Sequence, residues 1–133
     1  MSDTKRAAPF FVWSPRYEVD IGPHPFPTRK FRLIKEFMQK DPVIANARWL
    51  DSPAASRAEL MSVHSPEYLD DLEALRWTPR TRSSELPISR PIVDAYVFAA
   101  GGTLLAARHA VEGRTAGLHV GGGFHHAFAG HAE

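Results

Sequence analysis

Short continuous apolar runs and longer, helically spaced apolar sets take turns along the chain, the hydrophobic signature of a sheet interleaved with helices. Phe10-Phe11-Val12-Trp13 is a β-prone run closed by Ser14-Pro15 and predicts a first strand buried on both faces. The Pro-rich stretch from Gly22 to Pro27 predicts a loop. Beyond Thr28, taken as the N-cap, Phe31, Ile34, Phe37 and Met38 recur at helical spacing until Asp41-Pro42, predicting a helix with one core face. Ala47 to Leu50 reads as a second short strand. Ser65-Pro66-Glu67 then combines an N-cap, a proline at the first helical position and an acid in the first turn, so a helix follows with Tyr68, Leu69, Leu72 and Leu75 on its apolar side.

From Thr78 to Pro87 the chain turns to Pro, Arg, Ser and Thr, and an exposed loop is expected. Pro91 opens a long helix through Tyr96, Ala99, Ala100, Leu104, Ala107 and Val111, with Gly113 as its C-terminal glycine. Gly101-Gly102 inside that helix costs about 1 kcal/mol per residue relative to alanine, which close packing against a neighbour would offset. Ala116 to Val120 is apolar enough for a buried strand, and Gly121-Gly122-Gly123 follows it. The expected fold is therefore α/β, a mainly parallel sheet flanked by helices, with its site beyond the carboxyl ends of the strands. His125 and His126 fall there. A buried parallel strand needs neighbours on both sides, so residues 1–133 are expected to form the N-terminal portion of a single larger domain, incomplete at the C-terminus, with residues 1–9 as a flexible start.

Composition narrows the chemistry. Net charge is +1 with both signs interspersed, which creates no field for nucleic acid or a membrane surface. The absence of cysteine removes disulfides, thiolate nucleophiles and Cys-ligated metals, and fits a reducing compartment. Ala7 to Trp13 is too short for a signal-peptide core, and no apolar run reaches the roughly 20 residues of a transmembrane helix. A cytoplasmic location is the resulting expectation.

His119, His125, His126 and His131 lie close in sequence, yet adjacent His125 and His126 diverge and no His-x-x-x-His pattern aligns two ligands. A general base suits the pair better, because imidazole titrates near neutrality and glycines let a backbone approach a substrate closely. The other reading is a Gly-rich turn with two hydrogen-bonded histidines. No phosphate-loop pattern is present. Asp70-Asp71 with Glu73 reads as a solvated helix face, and Ser65 as a cap rather than a nucleophile.

Three segments together resemble the histone deacetylase superfamily of zinc-dependent amidohydrolases, which also contains acetoin-utilisation and acetylpolyamine amidohydrolases. Gly121-Gly122-Gly123-Phe124-His125-His126-Ala127 is similar to the family's Gly-Gly-x-His-His catalytic loop. Val63-His64-Ser65-Pro66-Glu67-Tyr68-Leu69 is similar to its His-Ser/Thr-x-x-Tyr-Leu segment, and Gly101-Gly102-Thr103 to its glycine-containing helix. Trp13 to Tyr17 and His24 to Phe26 resemble features of a class IV-like branch.

The resemblance implies an arginase-deacetylase fold and hydrolysis of the amide of an acetyl-lysine or a related acylated amine. It makes His125 and His126 the catalytic pair, in an order of roles left open. Gly122, Gly123 and Phe124 become substrate-binding loop residues. Lys30, or Arg29, becomes a basic group near the inner pocket, with a surface helix-start cation as its other reading. The implied cofactor is Zn, whose ligands in the family come from an Asp-x-His segment and a later Asp. Those segments, and a Gly-Gly-Tyr segment, would lie beyond Glu133. This chain alone is thus expected to hold no zinc and to be inactive without the C-terminal half of the domain. A non-catalytic binding module and one chain of a split enzyme are the alternatives.

Overall fold

The computed structural model describes residues 7–123 and 126–132. Three short strands, β1 (Phe10–Val12), β2 (Arg48–Leu50) and β3 (Gly117–His119), pair in parallel in the order β2-β1-β3. Val12 faces Leu50 on one side and His119 on the other. All three strands therefore end at the same edge. All of β1 is buried, Val12 completely, as a central strand covered on both faces should be. Phe10 and Val12 pack with Ala106, Leu50, Leu105 and Ala110. Phe11 points to the opposite face, where its ring stacks on Trp49 at 4.6 Å.

Among the described residues six α-helices connect or flank the strands: α1 (Lys30–Met38), α2 (Pro42–Ala45), α3 (Arg57–Met61), α4 (Pro66–Glu73), α5 (Pro79–Arg82) and α6 (Arg90–Gly113). Ser65 caps α4 by accepting from the Tyr68 amide, as its sequence signal requires. Ser56 makes a reciprocal capping box with Glu59 at α3. No helix among the described residues is long and apolar enough to cross a membrane.

Five local expectations are corrected. Thr28 does not cap α1; its buried hydroxyl accepts from the Val19 amide and donates to the Val19 carbonyl, and Arg29 takes the cap position without a side-chain bond. The apolar side of α1 is not a core face. Leu33 and Ile34 are exposed, and Phe37 is 72% exposed. Amphipathic spacing specifies a stripe, but a stripe needs a partner, and here Phe31, edge-on to Tyr17, Lys35, over the Trp13 ring, and Met38 are half-buried while the rest of the apolar side is exposed.

Asp71 is not solvated either: it is 2% exposed and accepts from Arg76, Thr78 and Arg80. These partners, led by Arg76, hold its carboxyl at about 2 against an ordinary 3.8. The Thr78 to Pro87 stretch contains α5 and buries Thr81 and Leu86, because Thr81 bonds the Arg76 carbonyl and Leu86 joins Ile21 and Ile92. Finally, Gly113 is the last helical residue. Arg114, at φ 46°, takes the left-handed position and caps onto the Ala110 and Val111 carbonyls.

The glycine pair within α6 does meet a neighbour closely. Ser52 donates to the Phe98 carbonyl at 2.6 Å and the Ala55 amide donates to the Val97 carbonyl at 3.0 Å, so the segment after β2 lies flat on the helix. A Cβ at Gly101 would overlap the Pro53 carbonyl oxygen and stand 2.8 Å from the Ala55 nitrogen, both rigid backbone atoms.

Gly101→Ala is therefore expected to lower stability by about 2 kcal/mol or more through overpacking, whereas Gly123→Ala, which meets open space, should stay within about 0.5 kcal/mol of the parent. Urea titrations of the two variants check this. Asp71 yields a pH prediction. Its folded pKa lies below its unfolded one, so its stabilisation is complete above about pH 4 and is lost as pH falls through about 2. Asp71→Asn should flatten the decline in unfolding midpoint across that window; a decline as steep as the parent's would contradict the assignment.

Candidate active site

The carboxyl edge of the sheet gathers the polar groups. Leaving β1, Ser14 caps a 3-10 turn (Pro15–Tyr17) that turns the Tyr17 side chain inward, where it is buried. Leaving β2, Asp51 pairs with Arg16 at 2.9 Å, and Arg16 also lies over the Phe98 ring. Burial acts to raise the Asp51 carboxyl, but hydrogen bonds from Ser14 and Arg16 outweigh it and hold the group below its ordinary value. At the end of β3, His119 Nε2 lies 2.8 Å from the Tyr17 hydroxyl and Nδ1 lies 3.0 Å from Thr103 Oγ1 of α6. Burial lowers the His119 pKa, favouring neutral imidazole, and raises that of Tyr17. Gly102 makes room for this cluster. A Cβ there would stand 2.5 Å from His119 Nε2 and 2.9 Å from Ser52 Oγ.

Beside this edge lies a cavity of about 450 Å³. Its walls are mainly apolar, with Leu60, Leu86, Ile92 and Leu104 among them, and its polar groups include His24, His64, Tyr68, Tyr96 and Thr103. His24 Nε2 stands 3.4 Å from Glu85 on the same wall. Burial raises the pKa of both Tyr68 and Tyr96, keeping them as neutral hydroxyls. An apolar chamber with a few convergent polar groups is the usual form of a small-molecule site.

The glycine loop leaves β3 at this place. Gly122 has φ 146°, a conformation open to glycine and strained for other residues, and Gly123 lines the cavity. Phe124 and His125 lie outside the described residues. His126 is exposed, at φ 58°. The chain then folds back through an Ala127–Ala132 bridge and docks on the start of α4: His64 Nδ1 donates to the Phe128 carbonyl at 3.0 Å, and the Ser65 amide donates to the Ala129 carbonyl at 2.8 Å. The His-Ser-Pro-Glu-Tyr-Leu segment thus touches the chain just past the histidine pair. Lys30 stands apart from the cavity, its ammonium over the Phe26 and Phe31 rings, and Arg29 is exposed.

Residue spacing did not reveal the Tyr17–His119–Thr103 cluster. The available signals were an imidazole within an apolar strand and a glycine pair within a helix, both of which imply a tightly packed polar partner.

The histone deacetylase domain family matches residues 24–133. An uncharacterized Picosynechococcus protein is 36% identical over 92% of this chain and 41% of its own length. Histone deacetylase 2 of Arabidopsis thaliana is 28% identical over 80% of this chain and 29% of its own. The crystal structure of the HDA15 HD domain superposes with a TM-score of 0.78 at 21% identity, covering 96% of this chain and 38% of that one, and shares the fold. The chain therefore spans about two fifths or less of these relatives. A parallel sheet ending in a glycine loop, the matched domain and the shared fold agree: this chain belongs to the histone deacetylase family.

Proposed function

We propose that this chain carries the histidine-loop half of a deacetylase that hydrolyses the amide of an acetyl-lysine or a related acylated amine, acting in the cytoplasm. One observation carries the reading: the glycine loop leaves the carboxyl end of β3 and lines the cavity through Gly123, with the histidine pair next but one in the sequence. In that reaction a water oxygen bonds to the amide carbon, the C–N bond breaks, and acetate and a free amine leave. Two proton transfers are needed. One takes a proton from the attacking water and one gives a proton to the leaving nitrogen, and the His125–His126 pair supplies imidazoles for them. Gly122 and Gly123 keep side-chain bulk away from the substrate's approach.

Family membership implies zinc, and the described residues do not fit it. Among them no three His, Asp or Glu side chains come together as a metal site. The zinc donors then lie outside the described residues. The 133-residue chain by itself should then release no acetate.

The test uses the protein expressed from its full open reading frame, with acetate release from an acetyl-lysine peptide and from an acetylated polyamine as readouts. His126→Ala should lower kcat by about 100-fold or more, the scale of lost acid–base catalysis. Turnover equal to the parent's would remove His126 from the mechanism.

A further inference from the structure

We propose that Tyr17 and His119 form a bracket that positions the glycine loop, and through it His126, without touching the substrate. The inference rests on the deacetylase reading above. His119 is held at both ring nitrogens, by the Tyr17 hydroxyl at 2.8 Å and by Thr103 Oγ1 at 3.0 Å, so its ring cannot turn without giving up a bond. Thr103 Oγ1 also donates to the Ala99 carbonyl at 3.3 Å, so the tautomer protonated at Nδ1 satisfies the whole set, donating to Thr103 and accepting from the Tyr17 hydroxyl at Nε2. The two rings also meet edge to face, with centroids 5.4 Å apart and planes at 75°.

What makes this pair a bracket is its neighbour on each side. A Cβ at Gly121, the first residue of the loop, would stand 2.6 Å from His119 Nε2 and 2.6 Å from Tyr17 Cε2. A Cβ at Gly102 would stand 2.5 Å from the same nitrogen. The hydrogen-bonded pair is thus clamped between α6 and the loop, and any shift of its rings is transmitted to the Gly121 backbone at van der Waals contact. Tyr17 in turn is anchored by the Ser14-capped turn, and the Val120 amide ties the loop's base to the Val12 carbonyl at 2.8 Å. Thr103 reaches the cavity, whereas Tyr17 and His119 are not among its lining residues. Their action on catalysis is therefore by position, where errors near 1 Å can cost on the order of 100-fold.

The test compares the full-length parent with Tyr17→Phe, His119→Gln, their double variant and His126→Ala, each corrected for folded fraction by urea titration. Tyr17→Phe removes one oxygen and keeps the ring, and glutamine keeps a polar atom near the Nε2 position. Each single variant should lower kcat by about 10-fold with KM within about twofold, and the double should lose less than the product of the two singles, because both loosen the same clamp on Gly121. Hydrogen exchange at residues 120–123 should quicken in Tyr17→Phe while β1 stays protected.

Parental kcat in both single variants, with His126→Ala inactive, would overturn the bracket and leave the deacetylase reading intact. An inactive parent would instead sink that reading. Hydrogen exchange then decides the bracket alone: unchanged exchange at 120–123 overturns it, and faster exchange supports it.

Discussion

The close approach of α6 to the carboxyl edge of the sheet is the constraint on which the other features depend. Two consecutive glycines let the helix backbone meet two different surfaces. Gly101 takes the Pro53–Ala55 backbone, and Gly102 takes Tyr17, His119 and Ser52. Side chains at either position would push the helix off the sheet and open the gap that the polar cluster fills. The intrinsic helix cost of glycine, about 1 kcal/mol each, is offset by hydrogen bonds and packing that no other residue permits.

That approach lets these three short strands organise a site. Three strands of three residues supply little hydrogen bonding, yet their parallel alignment delivers Ser14, Asp51 and His119 to one edge. The long helix crosses beneath them and adds Thr103. From there the glycine loop passes from the buried cluster to the cavity, and the segment beyond it is tied back to α4 by His64 and Ser65. Polar groups that would be costly if buried singly satisfy one another.

Legibility in the sequence followed the range of the interaction. The central strand, the α4 cap and the span of α6 rest on neighbours within a few residues, and their observed ends lie within one or two positions of those the sequence predicts. The glycine loop and its place after the last strand were equally legible. Asp71, Thr28 and the α1 face differ from expectation because each depends on partners that its neighbours in sequence do not identify. A polar residue beside other polar residues looks solvated until its partners are known, and Arg76, Thr78 and Arg80 become partners of Asp71 only after the chain turns at Leu75, φ 53°. Likewise an amphipathic stripe does not state whether anything covers it.

The sequence by itself determined the α/β alternation, the parallel sheet and the motifs that mark the histone deacetylase family, because periodicity, caps and short motifs are local properties. Only the tertiary structure decided what surrounds those motifs. Tyr17 and His119 are 102 residues apart, and His64 and Phe128 are 64 apart. Such contacts are set by how the helices seat on the sheet, through excluded volume and burial summed over the whole chain, and no local pattern encodes them.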